Sequence, residues 1–515
     1  MVEQTWKSGT SPIIHLGPSR FFRGHFLPLL QAQCPGLEVT AISLRTPDAR
    51  NDLEKQGYKY NLFARSTALG KDIEQSSIKN LKEIVVADED RRRTIELLAA
   101  DSTQIVTLTV TSKGYGAVSH AKADLHTGEL LSEQELREAS SSASVIAAAL
   151  YQRYRDKKEP FVIMSLDNLP ENSSTLRAAV LHYADRDPAF GTWVAANLVH
   201  IDTMVDRIVP FGDHFDPANF WKTDNVPPGP CPIYTEPLPL AALVMGPEAS
   251  RYPILRALAE HPNVLISNNV AKYGEMKIRM LNGAHFALGM VGRLAGYDNS
   301  REAMQNPAIR DFMIEYIALM EKSLRDPFTK VNTSEYGAEV LARISNIYLE
   351  DPLIRIARDS YSKLQPRLIG PLVDLHKDGA DHEHLDLVVA AWTQYLKRAS
   401  MDPEFEIDDK VSTDQLGLLD HNEGYYDRPE ILRQIEGFEG FSSIPSMEWF
   451  AGRVGTGRQH LHELLDTIER ARLDPESYRG LPKIGGTEPS LFGPQLETPF
   501  ERPFRPEDPN PGSNS

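Results

Sequence analysis

The N-terminal half of the chain takes its fold from one stretch, Ile13-Ile14-His15-Leu16-Gly17-Pro18-Ser19-Arg20-Phe21-Phe22-Arg23-Gly24-His25. The apolar run at its start predicts a buried strand, and the segment after the glycine predicts a helix. A glycine turn between a strand and a helix presents backbone N–H groups to a phosphate at the positive end of the helix. The candidate phosphate-binding residues are Gly17, Ser19, Phe21 and Arg23. The usual fingerprint has a second glycine where Ser19 stands, so a plain strand-to-helix turn is the alternative interpretation.

Short β-branched runs alternate with helical segments up to about residue 270, which predicts parallel strands joined by helical crossovers. The expected strands are Ile13–Leu16, Val39–Leu44, Ile84–Val86, Ile105–Val110 and Phe161–Ser165. We therefore predict an α/β Rossmann-like domain over residues 1–271. From residue 272 the apolar residues recur at helical spacing, which predicts a mainly α-helical domain over residues 272–475. The Pro- and Gly-rich residues 476–515 predict an extended tail.

Composition excludes several functional classes. The chain has 515 residues, enough for two domains with separate cores, and its net charge of −17 disfavours binding to nucleic acids and to acidic membranes. The two cysteines, Cys34 and Cys231, are too few for a disulfide framework or a cysteine-rich zinc site. A signal peptide and an apolar run of about 18 residues are both lacking, so a cytoplasmic protein is expected.

A second cofactor clue follows the second expected strand, at Leu44-Arg45-Thr46-Pro47-Asp48. This zone of a Rossmann-like domain contacts the adenosine ribose of the cofactor. Asp48 suits the free hydroxyls of NAD, whereas Arg45 suits the phosphate of NADP. NAD is the preferred interpretation, and NADP stays open.

The strongest chemical pattern is Lys277-Ile-Arg-Met-Leu-Asn282-Gly-Ala-His285. On a regular α-helix these three polar residues fall within an arc of about 140°, so one concave site can contain all of them. An alcohol that loses hydride must also lose its hydroxyl proton, which requires a base and neutral donors to the oxygen. A lysine is such a base only where burial or nearby positive charge lowers its pKa toward neutrality. The alternative is a helix with an exposed lysine, a capping asparagine and a buried histidine.

This motif and Asp202-Thr203-Met204-Val205-Asp206-Arg207-Ile208-Val209-Pro210 together resemble the polyol-specific long-chain dehydrogenases, the family of mannitol 2-dehydrogenase, fructuronate reductase and tagaturonate reductase. The resemblance covers roughly residues 12 to 400. It includes the segments that contain Lys113, Asn168, Arg355 and Lys363.

The resemblance implies a Rossmann-like domain, a helical domain, a substrate cleft between them and no metal. It implies that Lys277 is the general base, that Asn282 polarises the reacting oxygen and that His285 binds substrate. Arg355 and Lys363 match residues that hold the far end of the substrate. We assign Lys113 and Asn168 to the cofactor site.

The chain departs from the family pattern at three positions. Asp202 stands where the family has a second asparagine, and a carboxylate there would repel the developing alkoxide and shift the pH optimum. Gly274 replaces a glutamate thought to exchange protons with solvent, although Glu275 is adjacent. Arg358 replaces a histidine, and its added positive charge favours a carboxylate-bearing substrate.

The sequence therefore predicts an NAD-dependent, metal-independent oxidoreductase that interconverts a polyol, such as mannitol or arabinitol, and its ketose. The first alternative is a reductase of a keto-uronate, and the second is a catalytically silent sugar-acid binding protein on the same fold. The expected partners are a small polyol or sugar acid and, in a small homo-oligomer, copies of the same chain; a monomer is equally compatible. His382 and His384 are two residues apart and point to different faces of a helix, so they do not predict a metal site.

Overall fold

The computed structural model describes residues 11–67, 71–110, 141–210, 220, 231–325, 327–349, 351–402, 404–407 and 444–481. It divides into two compact units, Met1–Arg65 with Ile73–Lys277 and Ser66–Asp72 with Ile278–Ser515. The division falls between Lys277 and Ile278, a few residues after the predicted boundary at residue 272. Lys113 and most of the predicted tail, residues 482–515, lie outside the described residues.

The first unit is built on a parallel sheet with the strand order β5-β2-β1-β6-β7. Its strands are β1 (Ile13–Leu16), β2 (Val39–Ser43), β5 (Leu81–Val86), β6 (Ile105–Leu108) and β7 (Val162–Ser165). From β1 the chain proceeds outward through β2 to β5 and then returns to β6 on the other side of β1. The direction of winding reverses between β1 and β6, which is where open α/β sheets bind ligands. The Rossmann-like fold predicted from the sequence is confirmed.

Two three-stranded sheets complete the strands of the described residues. One contains β8 (Thr203–Val205), β10 (Leu243–Met245) and β11 (Val264–Ile266), and the other contains β3 (Tyr60–Ser66), β4 (Lys71–Ile78) and β9 (Ile233–Thr235). Strand β10 pairs antiparallel with β8 and parallel with β11. None of these six strands was among those predicted.

Helices cover both faces of the parallel sheet. Its strands are therefore buried on both sides, and their side chains alternate between two apolar clusters. Ile13 belongs to one cluster and Ile14 to the other. The helices are α1 (Arg20–Gly24), α2 (Phe26–Gln33), α3 (Asp48–Glu54), α4 (Arg91–Ala99), α5 (Ser142–Arg155), α6 (Asn172–Ala184), α7 (Pro188–Asn197), α8 (Pro253–Leu258) and α9 (Val270–Met276), with a 3-10 turn at Pro247–Arg251.

The described part of the second unit from Ile278 onward is helical, as the sequence predicts. Its α-helices are α10 (Gly283–Leu294), α11 (Ser300–Gln305), α12 (Pro307–Lys322), α13 (Thr333–Ile344), α14 (Leu353–Ala357), α15 (Ser360–Leu364), α16 (Gly370–Lys377), α17 (Glu383–Met401) and α18 (Met447–Leu473), followed by a 3-10 turn at Pro475–Ser477. Helices α17 and α18 approach so closely that a Cβ on Gly457 would lie 2.0 Å from the carbonyl oxygen of Asp386.

Two segments depart from the α-helical pattern. The first π-turn spans Lys277–Asn282, between α9 and α10, and the second π-turn spans Gln365–Ile369, between α15 and α16. The prediction of a regular α-helix through the Lys277 motif is therefore wrong for this turn. In a π-helix the backbone hydrogen bonds join residues five apart, which is the spacing of Lys277 and Asn282. The π-turn thus stacks these two residues more nearly above one another than an α-helix would.

Candidate functional site

The glycine turn lies where the sheet reverses direction. Gly17 has a φ of +84°, and a Cβ there would lie 2.5 Å from the carbonyl oxygen of Thr109, which follows β6. The hydroxyl groups of Ser19 and Thr109 are 2.9 Å apart, so the turn after β1 is tied to the end of β6. Only glycine fits this close approach of two loops.

The N–H groups available in this turn differ from those expected. Gly17 N–H donates to the Ile42 carbonyl, and Ser19 N–H donates to the Gly17 carbonyl. The Ser19 hydroxyl caps α1 by accepting from Phe22 N–H at 3.1 Å. Among the described residues, the N–H groups of Arg20 and Phe21 have no acceptor. These two donors are the ones that the turn can offer to a phosphate.

His15 is a functional candidate that the sequence analysis missed. Its ring is fully buried and stacks on Phe22 with a centroid separation of 3.5 Å. Nε2 donates to the Gly17 carbonyl at 3.0 Å, so Nδ1 accepts from the Thr107 hydroxyl at 2.8 Å. Burial lowers the pKa of His15 to about 3, and the ring stays neutral. The sequence does contain a signal for this residue, because His15 is a polar residue within the apolar run before Gly17.

The other cofactor candidates of the first unit are dispersed around this edge. Arg45 and Asp48 are exposed after β2, with Asp48 in the first turn of α3. Phe21 stacks on His25 with a centroid separation of 4.8 Å. The Arg23 guanidinium is buried and lies 5.8 Å from the centre of the Tyr60 ring, so this side chain is directed toward β3.

Lys277 is held between two elements of the first unit. Its side chain is 7% exposed, and Nζ donates to the Asn168 amide oxygen at 2.8 Å and to the Val205 carbonyl at 2.6 Å. Asn168 follows β7, and Val205 ends β8. We assigned Asn168 to the cofactor from the sequence, whereas the structure brings it to the lysine. The amine of Lys277 is thus positioned by two neutral acceptors near the carboxyl end of the sheet.

Asp202 has different partners from those expected. Its carboxylate accepts from the backbone N–H groups of Ser173 and Ser174 at 2.8 Å each, and from the Ser174 hydroxyl at 2.6 Å. All its hydrogen bonds among the described residues therefore go to the first turn of α6. A carboxylate at a helix N-terminus is stabilised by the unpaired N–H groups and by the helix dipole. Asp202 is a capping residue in the structure, and its catalytic role stays a prediction.

In the second unit, Asn282 and His285 lie at the junction of the first π-turn and α10. Both are partly buried. His285 Nδ1 is 2.9 Å from the Leu281 carbonyl oxygen, which only accepts, so Nδ1 carries the proton and Nε2 is an acceptor. Burial lowers the pKa of His285 to about 4, an effect that nearby Asp351 opposes. His285 can therefore accept a hydrogen bond from a substrate hydroxyl at neutral pH.

The predicted far-end residues belong to the junction of α14 and α15. Arg355 forms a two-point ion pair with Asp351, one turn earlier, with a Nε to Oδ1 distance of 2.6 Å. Lys363 Nζ donates to the carbonyl groups of Ile356 and Arg358, at the C-terminal end of α14. Arg358 is exposed. The charge of Arg355 is thus already balanced by a carboxylate of the same unit.

Within each unit, the structure brings some of the predicted residues together. Gly17 and Ser19 share one loop cluster with Thr109, and Lys277 contacts Asn168. Asn282 and His285 share one turn, where the sequence analysis missed Arg367, whose Nη1 lies 3.5 Å from the Asn282 carbonyl. Over the ranges that the structure describes, no group of three or more His, Cys, Asp or Glu side chains is arranged to hold a metal ion. In the same ranges, no helix combines the length and the apolarity needed to cross a membrane.

Comparison with known proteins accounts for both units. The mannitol dehydrogenase Rossmann domain matches residues 11–238, and the mannitol dehydrogenase C-terminal domain matches residues 269–441. Mannitol dehydrogenase 2 of Saccharomyces cerevisiae is 29% identical over 418 residues, which are 78% of this chain and 80% of the yeast protein. D-mannonate oxidoreductase of Escherichia coli is 28% identical over 467 residues, 88% of this chain and 93% of that protein.

A solved structure agrees with these sequence matches. The ternary complex of Pseudomonas fluorescens mannitol 2-dehydrogenase with NAD and D-mannitol superposes with a TM-score of 0.69 and 26% identity, covering 90% of this chain and 95% of that chain. The two domain matches, the sequence relatives and this structure agree over both units. The chain belongs to the mannitol dehydrogenase family of oxidoreductases.

Proposed function

We propose that the chain is an NAD-dependent oxidoreductase that interconverts the secondary alcohol of a polyol, of the mannitol or arabinitol type, and the corresponding ketose, with Lys277 as general base. The observation that carries this proposal is the setting of Lys277. Its amine is buried, lies at the carboxyl end of the parallel sheet and is held by the neutral oxygens of Asn168 and Val205. A lysine fixed in this way is suited to proton transfer, whereas an exposed lysine is not.

The residues of the first unit fit a dinucleotide. The left-handed glycine at position 17 lets two loops approach closely at the reversal point of the sheet, and the N–H groups of Arg20 and Phe21 have no acceptor among the residues that the structure describes. Asp48 follows β2, where it suits the ribose hydroxyls of NAD, and exposed Arg45 keeps NADP as the alternative. The bound nicotinamide supplies hydride transfer to or from the reacting carbon.

The chain's own residues supply the proton chemistry. In the oxidative direction Lys277 accepts the hydroxyl proton, and the Asn282 amide donates to the oxygen as it gains negative charge. Neutral His285 accepts a hydrogen bond from a neighbouring hydroxyl through Nε2 and so orients the substrate. Reduction of the ketone follows the same path in reverse, with Lys277 as the acid.

A keto-uronate reductase is the second candidate. The observation in its favour is the similarity to D-mannonate oxidoreductase, which covers 88% of this chain against 78% for the yeast mannitol dehydrogenase. The two candidates share the same base and the same cofactor. They differ only in whether the far end of the substrate is a hydroxymethyl group or a carboxylate.

The test compares Lys277→Met with Lys272→Met, a lysine in the preceding helix α9. NADH formation or loss is measured with mannitol, arabinitol, fructuronate and tagaturonate, and NAD affinity is measured by fluorescence titration. We expect Lys277→Met to lower kcat by about 10²-fold to 10⁴-fold with little change in the Kd for NAD. Lys272→Met should retain activity. Full activity of Lys277→Met excludes the lysine base, and NAD binding without turnover of any substrate supports a silent binding protein.

A further inference from the structure

Arg367, in the second π-turn, is a partly buried cation with no carboxylate partner in the part of the chain that the structure describes. Its one hydrogen bond to a described residue is the long contact from Nη1 to the Asn282 carbonyl, at 3.5 Å. Among the described residues no carboxylate lies within 4.0 Å of its guanidinium. Burial lowers the pKa of Arg367 to about 10, so the group still carries its charge at neutral pH. A desolvated charge without a partner is unfavourable, and a ligand anion would relieve it.

Three other arginines of the second unit have carboxylate partners. Arg279 pairs with Asp374 at 2.6 Å, and Arg453 pairs with Asp386 at 3.2 Å. Arg355, which matches a residue that holds the far end of the substrate, is paired with Asp351. Arg367, in contrast, has no carboxylate partner among the described residues, so its N–H groups can form a two-point bond to the carboxylate of a ligand.

Tyr316 provides a second unpartnered donor beside Arg367. It belongs to α12, is fully buried, and its hydroxyl has no hydrogen-bond partner among the described residues. Burial raises the pKa of Tyr316, so its phenol stays protonated and can donate. A Cβ on Gly283 would lie 3.1 Å from the Arg367 carbonyl and 3.5 Å from the Tyr316 hydroxyl, so both residues pack on the glycine next to Asn282. The Tyr316 hydroxyl and most N–H groups of Arg367 thus lack an acceptor among the described residues.

We propose that Arg367 is a specificity-determining residue that binds a carboxylate of the substrate, so that the chain prefers a sugar acid to the neutral polyol or ketose of the same carbon skeleton. The inference rests on the second candidate function, the keto-uronate reductase, because it places a carboxylate-bearing substrate at Asn282 and His285. The guanidinium donates two charge-assisted hydrogen bonds to the carboxylate, and the Tyr316 hydroxyl is a further donor beside it. A hydroxymethyl group offers no charge at this position and leaves the cation unpaired.

The test uses two ketones that differ at one terminal carbon, fructuronate with a carboxylate and fructose with a hydroxymethyl group. The full chain, Arg367→Gln and Arg367→Lys are assayed with NADH, with Lys377→Gln at the exposed end of α16 as the charge-matched control. We expect the parent to prefer fructuronate and Arg367→Gln to lose about 10-fold to 100-fold in kcat/KM for fructuronate, with less than about threefold change for fructose. Arg367→Lys should retain part of the preference, because it keeps the charge but not the fork.

Equal losses on both ketones would show a purely structural role and overturn the proposal, as would a parent enzyme that prefers fructose. Circular dichroism and thermal unfolding identify a variant that fails to fold, in which case Arg367→Lys decides. If the parent reduces neither ketone, the proposed function fails separately, and calorimetry then tests the carboxylate site directly. Tighter binding of mannonate than of mannitol by the parent, lost in Arg367→Gln and partly retained in Arg367→Lys, supports it; equal binding of the two by the parent overturns it.

Discussion

The parallel sheet of the first unit and the two π-turns place functional groups by different means. In the sheet, strand register alone brings the Gly17 turn against Thr109, because β1 and β6 are adjacent parallel strands that end at the same edge. Asn282 and Arg367, in contrast, each lie in a helical segment that departs from the α pattern, and the two π-turns are in contact through them. Regular strand pairing is sufficient to form a sheet edge, whereas a π-turn needs contacts with neighbouring segments to stabilise it.

The largest effect that we expect concerns the sheet. Gly17→Ala combines a left-handed φ with a Cβ 2.5 Å from a backbone oxygen, which should cost about 2 to 5 kcal/mol in the free energy of unfolding. Gly36→Ala is the matched control, since it has a φ of +86° but no atom within 4 Å, and should cost about 1 to 2 kcal/mol. Urea unfolding of both variants measures the difference. Equal costs would mean that the loops do not need their close approach.

A smaller effect is expected at the first π-turn, where Arg279 makes two close polar contacts. Arg279 donates to the Ser323 carbonyl and pairs with Asp374, both at 2.6 Å. Arg279→Met leaves a partly buried carboxylate with one partner fewer and should destabilise the chain by about 2 to 3 kcal/mol. Arg325→Met removes a half-exposed partner of the same Asp374 and should cost less than about 1 kcal/mol.

If the π-turn positions Lys277 and Asn282, Arg279→Met should also lower kcat more than its loss of stability explains at the assay temperature. The assay is run well below the unfolding transition of the variant. An unchanged kcat in a destabilised protein would show that Arg279 and the π-turn contribute to stability but not to catalysis.

The contrast also explains what the sequence could predict. Strand β1 was predicted to the residue, and β2, β5, β6 and β7 differ only at their ends, because buried parallel strands are continuous apolar runs. The motif from Lys277 to His285 was recognised, but its π-turn was not, since apolar periodicity does not distinguish a π-turn from an α-helix. Arg367 was missed because its proximity to Asn282 depends on a contact between residues 85 positions apart.

Acid should destabilise both regions through their buried neutral histidines. Burial lowers the pKa of His15 to about 3 and that of His285 to about 4, both from 6.5. The folded state therefore binds fewer protons than the unfolded state. The contribution of each histidine to the free energy of unfolding is fully present above about pH 6.5 and is lost as the pH falls toward its folded pKa. Each histidine contributes a slope of about 1 kcal/mol per pH unit between pH 6 and pH 5.

Urea unfolding at pH 3 to 8 measures these slopes. His15→Gln and His285→Gln should each flatten the acid side of the profile, and below pH 4 only the His15 contribution should persist. His182 is exposed on α6, so His182→Gln serves as the control. Slopes that are unchanged in all three variants would contradict the buried neutral state of both rings.

The smallest expected effect lies in the regular helix just before the first π-turn. Gly274 is inside α9 with no atom within 4 Å of an added Cβ, so Gly274→Ala should stabilise the chain by about 0.5 to 1 kcal/mol and raise Tm by about 1 to 4 °C. Gly379→Ala also meets no atom within 4 Å, but its φ of +65° reverses the sign and should lower Tm. If neighbouring contacts hold the π-turn, α9 still ends at Met276 in Gly274→Ala, although its helix propensity is higher. The kcat of the variant then stays within about twofold of the parent value. A more stable protein with a much lower kcat would instead mean that helix propensity in α9 extends into Lys277–Asn282 and that the π-turn is held only weakly.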